Sequence, residues 1–266
     1  IIVEEGPLKT SSDFKMLESE AYPALYQDSA SRQTADKAIK ILQGRCVGGS
    51  TTVNWTSSFR TPPATLQWWQ TAHGLKNLSV DAMAPWFAAM EQRLHVGLWP
   101  LPPNDNNAAL ARGAAQLGIP VAVIPRNVKM CWNLGYCGMG CPTNAKQSML
   151  LTTIPAALTR GATLISRLRA EKLEFSGNKA VARETLALKP DGLRPSGIRV
   201  SLRARHFVLA GGAINTPALL MRSHAADPHG RLGNRTFLHP TLVSAALFDK
   251  PIRAYAGAPQ SVYSDH

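Results

Sequence analysis

Residues 44–54 read Gly-Arg-Cys-Val-Gly-Gly-Ser-Thr-Thr-Val-Asn, and no other stretch limits the fold of this chain as tightly. Gly48 and Gly49 are adjacent, so the backbone there can turn freely and lie directly against a bound group. The hydroxyls of Ser50, Thr51 and Thr52, with the amides around them, can then face the oxygens of a phosphate or of a ring system. Asn54, which both donates and accepts, can pair with a heterocycle where the loop ends. An ordinary glycine-rich turn does not require eleven residues in this order.

A second glycine turn lies far along the chain. His206-Phe207-Val208-Leu209-Ala210 reads as a buried strand, Gly211-Gly212 follow, and a helix is expected over 216–222. Thr216 is placed to cap that helix, and Pro217 fits its first turn. A helix start there offers free amides and a positive dipole to a phosphate or a ring carbonyl. At the opening of the chain, residues 1–3 read as a buried strand, followed by Glu4, Glu5, Gly6 and Pro7. In a dinucleotide fold, an acid at such a strand end accepts from the two vicinal ribose hydroxyls. The G-x-G-x-x-G that belongs roughly 20 residues earlier is not in the sequence. Together with an opening in mid-strand and no initiator Met, this leads us to expect a chain that begins inside a longer protein.

Between the two turns, helical spacing is found over 66–69, 80–94 and 108–117, with Asp81 near the second start and Asn106-Asn107 before the third. Pro62-Pro63 breaks the chain, and 99–103 is a rigid connector. A helix over 147–158 is weakened by Pro155. Short strands are expected at 162–165 and 170–175, and paired strands at 180–188 and 196–202 around Pro190-Asp191-Gly192. The fold class is therefore α/β with α+β character: a partial Rossmann-like layer with a helical insert over about 62–125.

Composition narrows the function. Of 266 residues, 45% are hydrophobic, enough for a sizeable core. No apolar run reaches ~18 residues, so no transmembrane segment is expected. The net charge of +12 favours anionic cofactors or partners. The basic residues are scattered, without aromatic interleaving or a finger or helix-turn-helix spacing, so nucleic acid is not expected as a partner. A basic phosphate- or nucleic-acid-binding α/β module without catalysis is the alternative, and it rests on charge alone.

Of four cysteines, Cys46 stands alone, and Cys131-x5-Cys137-x3-Cys141 form a cluster, which is no disulfide scaffold. Three close thiolates are a soft ligand set for zinc or iron–sulfur. A four-ligand site needs one more donor, which the sequence does not name. A three-iron cluster and plain structural or free thiols are the other readings. Lys146 and Gln147 read as the solvated start of a helix.

In these motifs the chain resembles the glucose-methanol-choline (GMC) oxidoreductases. Residues 44–54 are similar to the family's first signature, and Gly-Ala-x-x-Thr-Pro-x-Leu-Leu-x-x-Ser over 212–223 to its second, with His224 where a glycine usually follows. Residues 232–240, ending in His239-Pro240, resemble the stretch leading out of the FAD domain. Gly-Cys-Pro-Thr-Asn-Ala-Lys-Gln-Ser over 140–148 looks like the long-chain alcohol oxidase branch.

The resemblance implies an FAD-binding domain over 1–240 and the start of a substrate-binding domain over 241–266. It implies that Glu4 holds the adenosine ribose, and that Arg45, Gly48, Gly49, Ser50 and Asn54, with Gly211, Gly212 and Thr216, hold the cofactor. Both glycine turns would then meet one dinucleotide. Val53 stands where some members carry a histidine linked covalently to FAD, so non-covalent FAD is implied. One subgroup of sugar dehydrogenases carries three cysteines around an iron–sulfur cluster, which would make Cys131, Cys137 and Cys141 its ligands. The implied reaction takes an alcohol to a carbonyl, with hydride passing to flavin N5. The partners are a small-molecule alcohol and, in some branches, an electron-acceptor protein. The family's catalytic histidine lies beyond residue 266, so His239 is read as a packing residue and this chain alone is expected to be inactive. The Gly-Gly-Ser-Thr loop over 48–51 argues against a plain NAD dehydrogenase.

Overall fold

The computed structural model describes residues 1–239 and 241–266. Pro240, the last residue of the 232–240 stretch, lies outside the described residues. In chain order the elements are β1 (Ile2–Val3), α1 (Glu18–Leu25), α2 (Ser50–Val53), α3 (Pro63–His73), α4 (Val80–Leu94) and β2 (Val96–Leu98). They continue with α5 (Asp105–Gln116), β3 (Ala122–Val123), β4 (Pro125–Asn127), α6 (Thr153–Thr159), β5 (Leu164–Ile165) and β6 (Leu168–Ser176). The last are β7 (Lys179–Leu188), β8 (Pro195–Arg203), α7 (Gly212–Arg222) and β9 (Val262–Tyr263). The chain is mixed α/β and divides into two compact units.

The first unit comprises Ile1–Leu8 and Ala162–Leu247. β1 pairs with β5 in parallel, Ile2 opposite Leu164 and Val3 opposite Ile165. β6, β7 and β8 form an antiparallel meander. Its first hairpin closes at Gly177 and Asn178, between the paired Ser176 and Lys179, where Gly177 takes a left-handed φ of 57°. Its second closes around Asp191, whose carboxylate accepts the Leu193 and Arg194 amides at 2.8 and 3.0 Å. Both pairings join strands whose residues alternate along the sequence, and α7 packs against β6. Leu173 of β6 and Leu219 of α7 are both buried. Ser223 at the end of α7 is buried, accepts the Leu173 N–H at 2.9 Å and donates to the Leu219 carbonyl at 2.6 Å.

Three sequence expectations in this unit are corrected. Ile1 is exposed, and β1 is half-buried rather than buried. Residues 206–210 form no strand, and Val208 is 88% exposed. An apolar run becomes a strand only where a neighbouring edge takes its backbone groups, and among the described residues none does so here. The helix after Gly211 starts four residues early, with Gly211 as its N-cap, so Thr216 and Pro217 lie inside α7. Pro217 has no N–H to donate back to the preceding turn, and the helix tolerates the loss.

The second unit comprises Lys9–Gly161 and Phe248–His266. Three helices, α3 to α5, fall within 63–116. Pro63 opens α3 at the position where a missing N–H costs nothing, and Gly74 ends it in a left-handed conformation. The caps differ from those expected: Ser79 accepts the Ala82 amide at the start of α4, and Asn104, not Asn106-Asn107, caps α5 by accepting the Asn107 amide at 3.0 Å. The helix expected over 147–158 is a run of turns followed only by the short α6. The core of the unit gathers Phe14, Ala21, Leu25, Tyr26, Cys46 and Val53.

The C-terminal segment returns to this unit through side-chain amides. Asn104 Nδ2 donates to the carbonyls of Ala254 and Ala256 at 3.1 and 3.0 Å. The buried Asn107 donates to the Pro259 carbonyl at 2.9 Å and accepts the Ser261 N–H at 3.0 Å. Asn133 accepts the Ala258 N–H at 2.8 Å, and β9 then pairs antiparallel with β3. Removing the Asn107 amide strands the buried Ser261 N–H and the half-buried Pro259 carbonyl at once. In the intact protein, Asn107→Ala is expected to cost about 2–3 kcal/mol of stability, read from urea unfolding; a loss under about 0.5 kcal/mol would show that the clasp adds little.

Candidate functional site

The 44–54 loop leaves the core at Cys46 and Val47, both buried, and re-enters it at Val53. Glycine is required at two of its positions for different reasons. Gly48 has φ 94°, and a Cβ there would sit 2.4 Å from Thr52 Oγ1 and 3.1 Å from Leu150. Gly49 has φ 56°, yet a Cβ there would meet no atom within 4 Å. One glycine is packed from within the unit, and the other leaves open space where a Cβ would stand, while its N–H donates to the Cys46 carbonyl at 2.8 Å and its carbonyl accepts the Thr52 N–H at 3.0 Å.

The hydroxyls of the loop turn inward. Ser50 Oγ accepts the Gly44 amide at 3.0 Å, Thr51 Oγ1 donates to the Gly48 carbonyl at 2.6 Å, and Thr52 Oγ1 donates to the Val47 carbonyl at 3.0 Å. Asn54 is exposed, and Arg45 is buried beneath the loop, its N–H on the Leu25 carbonyl at 2.7 Å.

Behind the loop lies a residue that the sequence reading placed in solvent. Lys146 is 2% exposed. Its Nζ donates to the carbonyls of Thr52 at 2.8 Å, Asn54 at 2.7 Å and Cys137 at 2.6 Å. Three N–H groups meet three acceptors, so the ammonium is fully satisfied although desolvated. Burial pushes its pKa down to about 8, while the neighbouring Cys137 and Cys141 act in the opposite direction. Nothing around Lys146 in the sequence marks it as buried, since the polar Asn144 and Gln147 flank it closely.

Arg126 is the second residue the sequence reading missed. It is 2% exposed and donates from Nε to Thr56 Oγ1 at 2.8 Å and from its terminal nitrogens to the carbonyls of Trp55 at 3.0 Å and Gln260 at 3.3 Å. Its guanidinium stacks 4.8 Å from the Trp99 ring. Here a signal did exist: a lone arginine within the apolar run 119–128. Its contacts hold Thr56 in a left-handed backbone, φ 68°, that a β-branched residue otherwise avoids.

The cysteine loop is glycine-rich because rings abut it. A Cβ at Gly140 would lie 2.3 Å from the Phe14 ring, and Tyr26, its phenol pushed up to about 12 by burial, donates to the Gly138 carbonyl at 2.6 Å. The three sulfurs have separate partners. Cys131 Sγ accepts the Asn133 amide at 3.4 Å, and Cys137 Sγ lies 3.7 Å from an Arg126 terminal nitrogen. Cys141 Sγ accepts the Lys146 amide at 3.4 Å beside the Thr143 hydroxyl at 3.5 Å. Burial raises the Cys137 thiol, with Lys146 and Arg126 opposing. Burial also acts upward on Cys141, but the Thr143 hydroxyl and nearby amides outweigh it and bring the thiol below its ordinary range. Among the described residues no three His, Cys, Asp or Glu side chains converge on a point that could hold a metal ion. As arranged, Cys131, Cys137 and Cys141 therefore do not fit a shared iron–sulfur cluster.

In the other unit, the half-buried Glu4 accepts the Gly6 amide at 2.7 Å. Gly211 caps α7, and a Cβ there would lie 3.2 Å from Thr216 Oγ1. Glu4, Gly211, Gly212 and Thr216 thus fall in one unit, and Arg45, Gly48, Gly49, Ser50 and Asn54 in the other.

Solved oxidases share this fold. Pyridoxine 4-oxidase from Mesorbium loti superposes with a TM-score of 0.60 at 21% identity, over 84% of this chain and 46% of that one. A formate oxidase of Aspergillus oryzae, from a study of FAD modification, gives 0.57 at 14%, over 84% and 43%. The fold is thus mixed α/β with a partial Rossmann-like layer.

A family model described as GMC oxidoreductase matches residues 22–241, and the chain belongs to that family of FAD-dependent oxidoreductases. Among curated relatives, an uncharacterized GMC-type oxidoreductase of Sinorhizobium fredii is 30% identical over 96% of this chain and 50% of its own length. A long-chain-alcohol oxidase of Arabidopsis thaliana is 25% identical over 97% of this chain and 35% of its own length. The chain spans half or less of the length of these relatives. Among the described residues no helix is long and apolar enough to cross a membrane.

The depressed Lys146 pKa has a signed consequence. Between pH about 8 and 10.5 the unfolded chain holds this proton and the folded one has released it, so stability from this group rises with pH in that window and is lowest below it. The stability difference between the intact protein and its Lys146→Met variant should shift toward the parent from pH 8 to 10, by at most about 3 kcal/mol, in chemical denaturation. A flat difference would place the ammonium in solvent.

Proposed function

We propose that this chain carries the flavin loop of an FAD-dependent oxidoreductase that oxidises the CH–OH group of a small-molecule alcohol to a carbonyl. The observation that carries this reading is the two-sided 48–54 loop, whose Gly48 is packed from within while Gly49 lies open. Family membership supports FAD as what fills that space, and the long-chain-alcohol oxidases among the relatives support an alcohol as donor.

In this reading the open side of Gly49 and the exposed Asn54 amide face the isoalloxazine. Ser50, whose hydroxyl already accepts from Gly44, and the buried Arg45 act from beneath by holding the loop in shape. Glu4, fixed by the Gly6 amide, accepts from ribose hydroxyls, and the start of α7 at Gly211 and Gly212, with Thr216 in the same helix, turns its positive end to cofactor oxygens. Val53 is buried and has no group that could bond to a flavin ring, which supports non-covalent FAD. When bound, FAD supplies the hydride acceptor. What these residues contribute is a main-chain surface with its donors already oriented, the kind of preorganisation that lowers the cost of placing charge on a ring. An electron-acceptor protein is the partner proposed for branches that do not use oxygen. No step is routed through the cysteines.

The purified intact protein should be yellow, with absorbance near ~450 nm from bound oxidised flavin; a protein that stays colourless when reconstituted with FAD would overturn the reading. Gly49→Ala separates cofactor from fold. Its methyl meets no protein atom, so apoprotein stability should fall by about 1–3 kcal/mol for a backbone of φ 56° and ψ −146° that glycine alone adopts readily, whereas FAD affinity should fall about tenfold or more. Equal affinity for FAD would mean that Gly49 faces no cofactor.

A further inference from the structure

The geometry points to Lys146 as a positioning residue for the flavin: its ammonium fixes the exit of the 48–54 loop and, with it, the Trp55 N–H and the Asn54 side chain that stand there. This rests on the assignment of FAD to that loop.

Lys146 takes two carbonyls from the loop itself, Thr52 and Asn54, and the third from Cys137 on the facing segment. It lies 2% exposed, and among the described ion pairs no carboxylate partners it. A buried cation without a counter-ion is costly, and an apolar side chain of similar volume often serves simple packing as well or better. The charge therefore has a use that adhesion between two loops does not explain.

Peptide geometry supplies it. A trans peptide is planar, and its carbonyl and N–H point in opposite directions. With the Asn54 carbonyl drawn inward onto Lys146, the N–H of Trp55 is turned the other way, where it has no hydrogen-bond partner among the described residues. The Asn54 side chain is exposed at the same place. One inward contact thus orients both a main-chain donor and a side-chain amide at the end of the loop. A second buried cation, Arg126, holds the next carbonyl, that of Trp55, at 3.0 Å. Two positive charges behind the loop favour electron-rich, reduced flavin over oxidised flavin in front of it.

The test uses the intact apoprotein reconstituted with FAD, as wild type, Lys146→Met and Lys146→Arg. The Met variant should raise the Kd for FAD roughly 10- to 100-fold, and once saturated with FAD its flavin midpoint potential should move to more negative values. The Arg variant keeps the charge, so it should keep a potential close to wild type and recover part of the affinity. A folded Met variant with wild-type Kd and potential overturns the proposal while leaving the FAD assignment standing. A wild type that takes up no FAD overturns both. Should the Met variant not fold, the Arg variant decides: a planar guanidinium cannot meet three converging carbonyls as an ammonium does, so a Kd several-fold above wild type supports the proposal and an unchanged Kd overturns it.

Discussion

Three carbonyls from two distant segments converge on one ammonium, that of Lys146. A glycine-rich loop has little side-chain surface with which to hold its own shape, and each of its glycines adds conformational freedom that folding must remove. Lys146 removes that freedom at the end of the loop where Thr52 and Asn54 lie. The inward hydroxyls of Ser50, Thr51 and Thr52 do the same at its start. The result is a loop whose hydroxyls are used for its own construction, leaving the open side of Gly49 and the exposed Asn54 at its surface.

The cysteine loop is the other half of this arrangement. It supplies the third carbonyl, it packs Gly140 against the Phe14 ring, and it receives the Tyr26 hydroxyl at Gly138. Read this way, residues 131–147 are the support on which the glycine loop is built. The cysteines sit within that support, each sulfur with donors of its own.

Much of this was legible in the sequence, and the parts that were not share a physical cause. The meander β6–β7–β8 and helix α4 could be read because alternation and helical spacing are local properties. The glycine loop was legible because its residue order is specific. The strand expected at 206–210 failed because strand formation depends on a partner edge, which no local pattern encodes. The start of α7 was misplaced because Thr216-Pro217 is a good helix opening, yet Gly211 is where the chain turns. Lys146 was read as solvated because burial of an ammonium depends on carbonyls at residues 52, 54 and 137, none of which is its neighbour in sequence.

The open face of residues 48–54 is the proposed cofactor surface on which the roles of Lys146 and the cysteine loop depend. Amide hydrogen exchange of the intact protein, with and without added FAD, examines that face directly. The account predicts that exchange slows at 49–55 when FAD is present, beyond any slowing in exposed segments such as α3. Unchanged exchange in that loop, under conditions where FAD is bound, would contradict it.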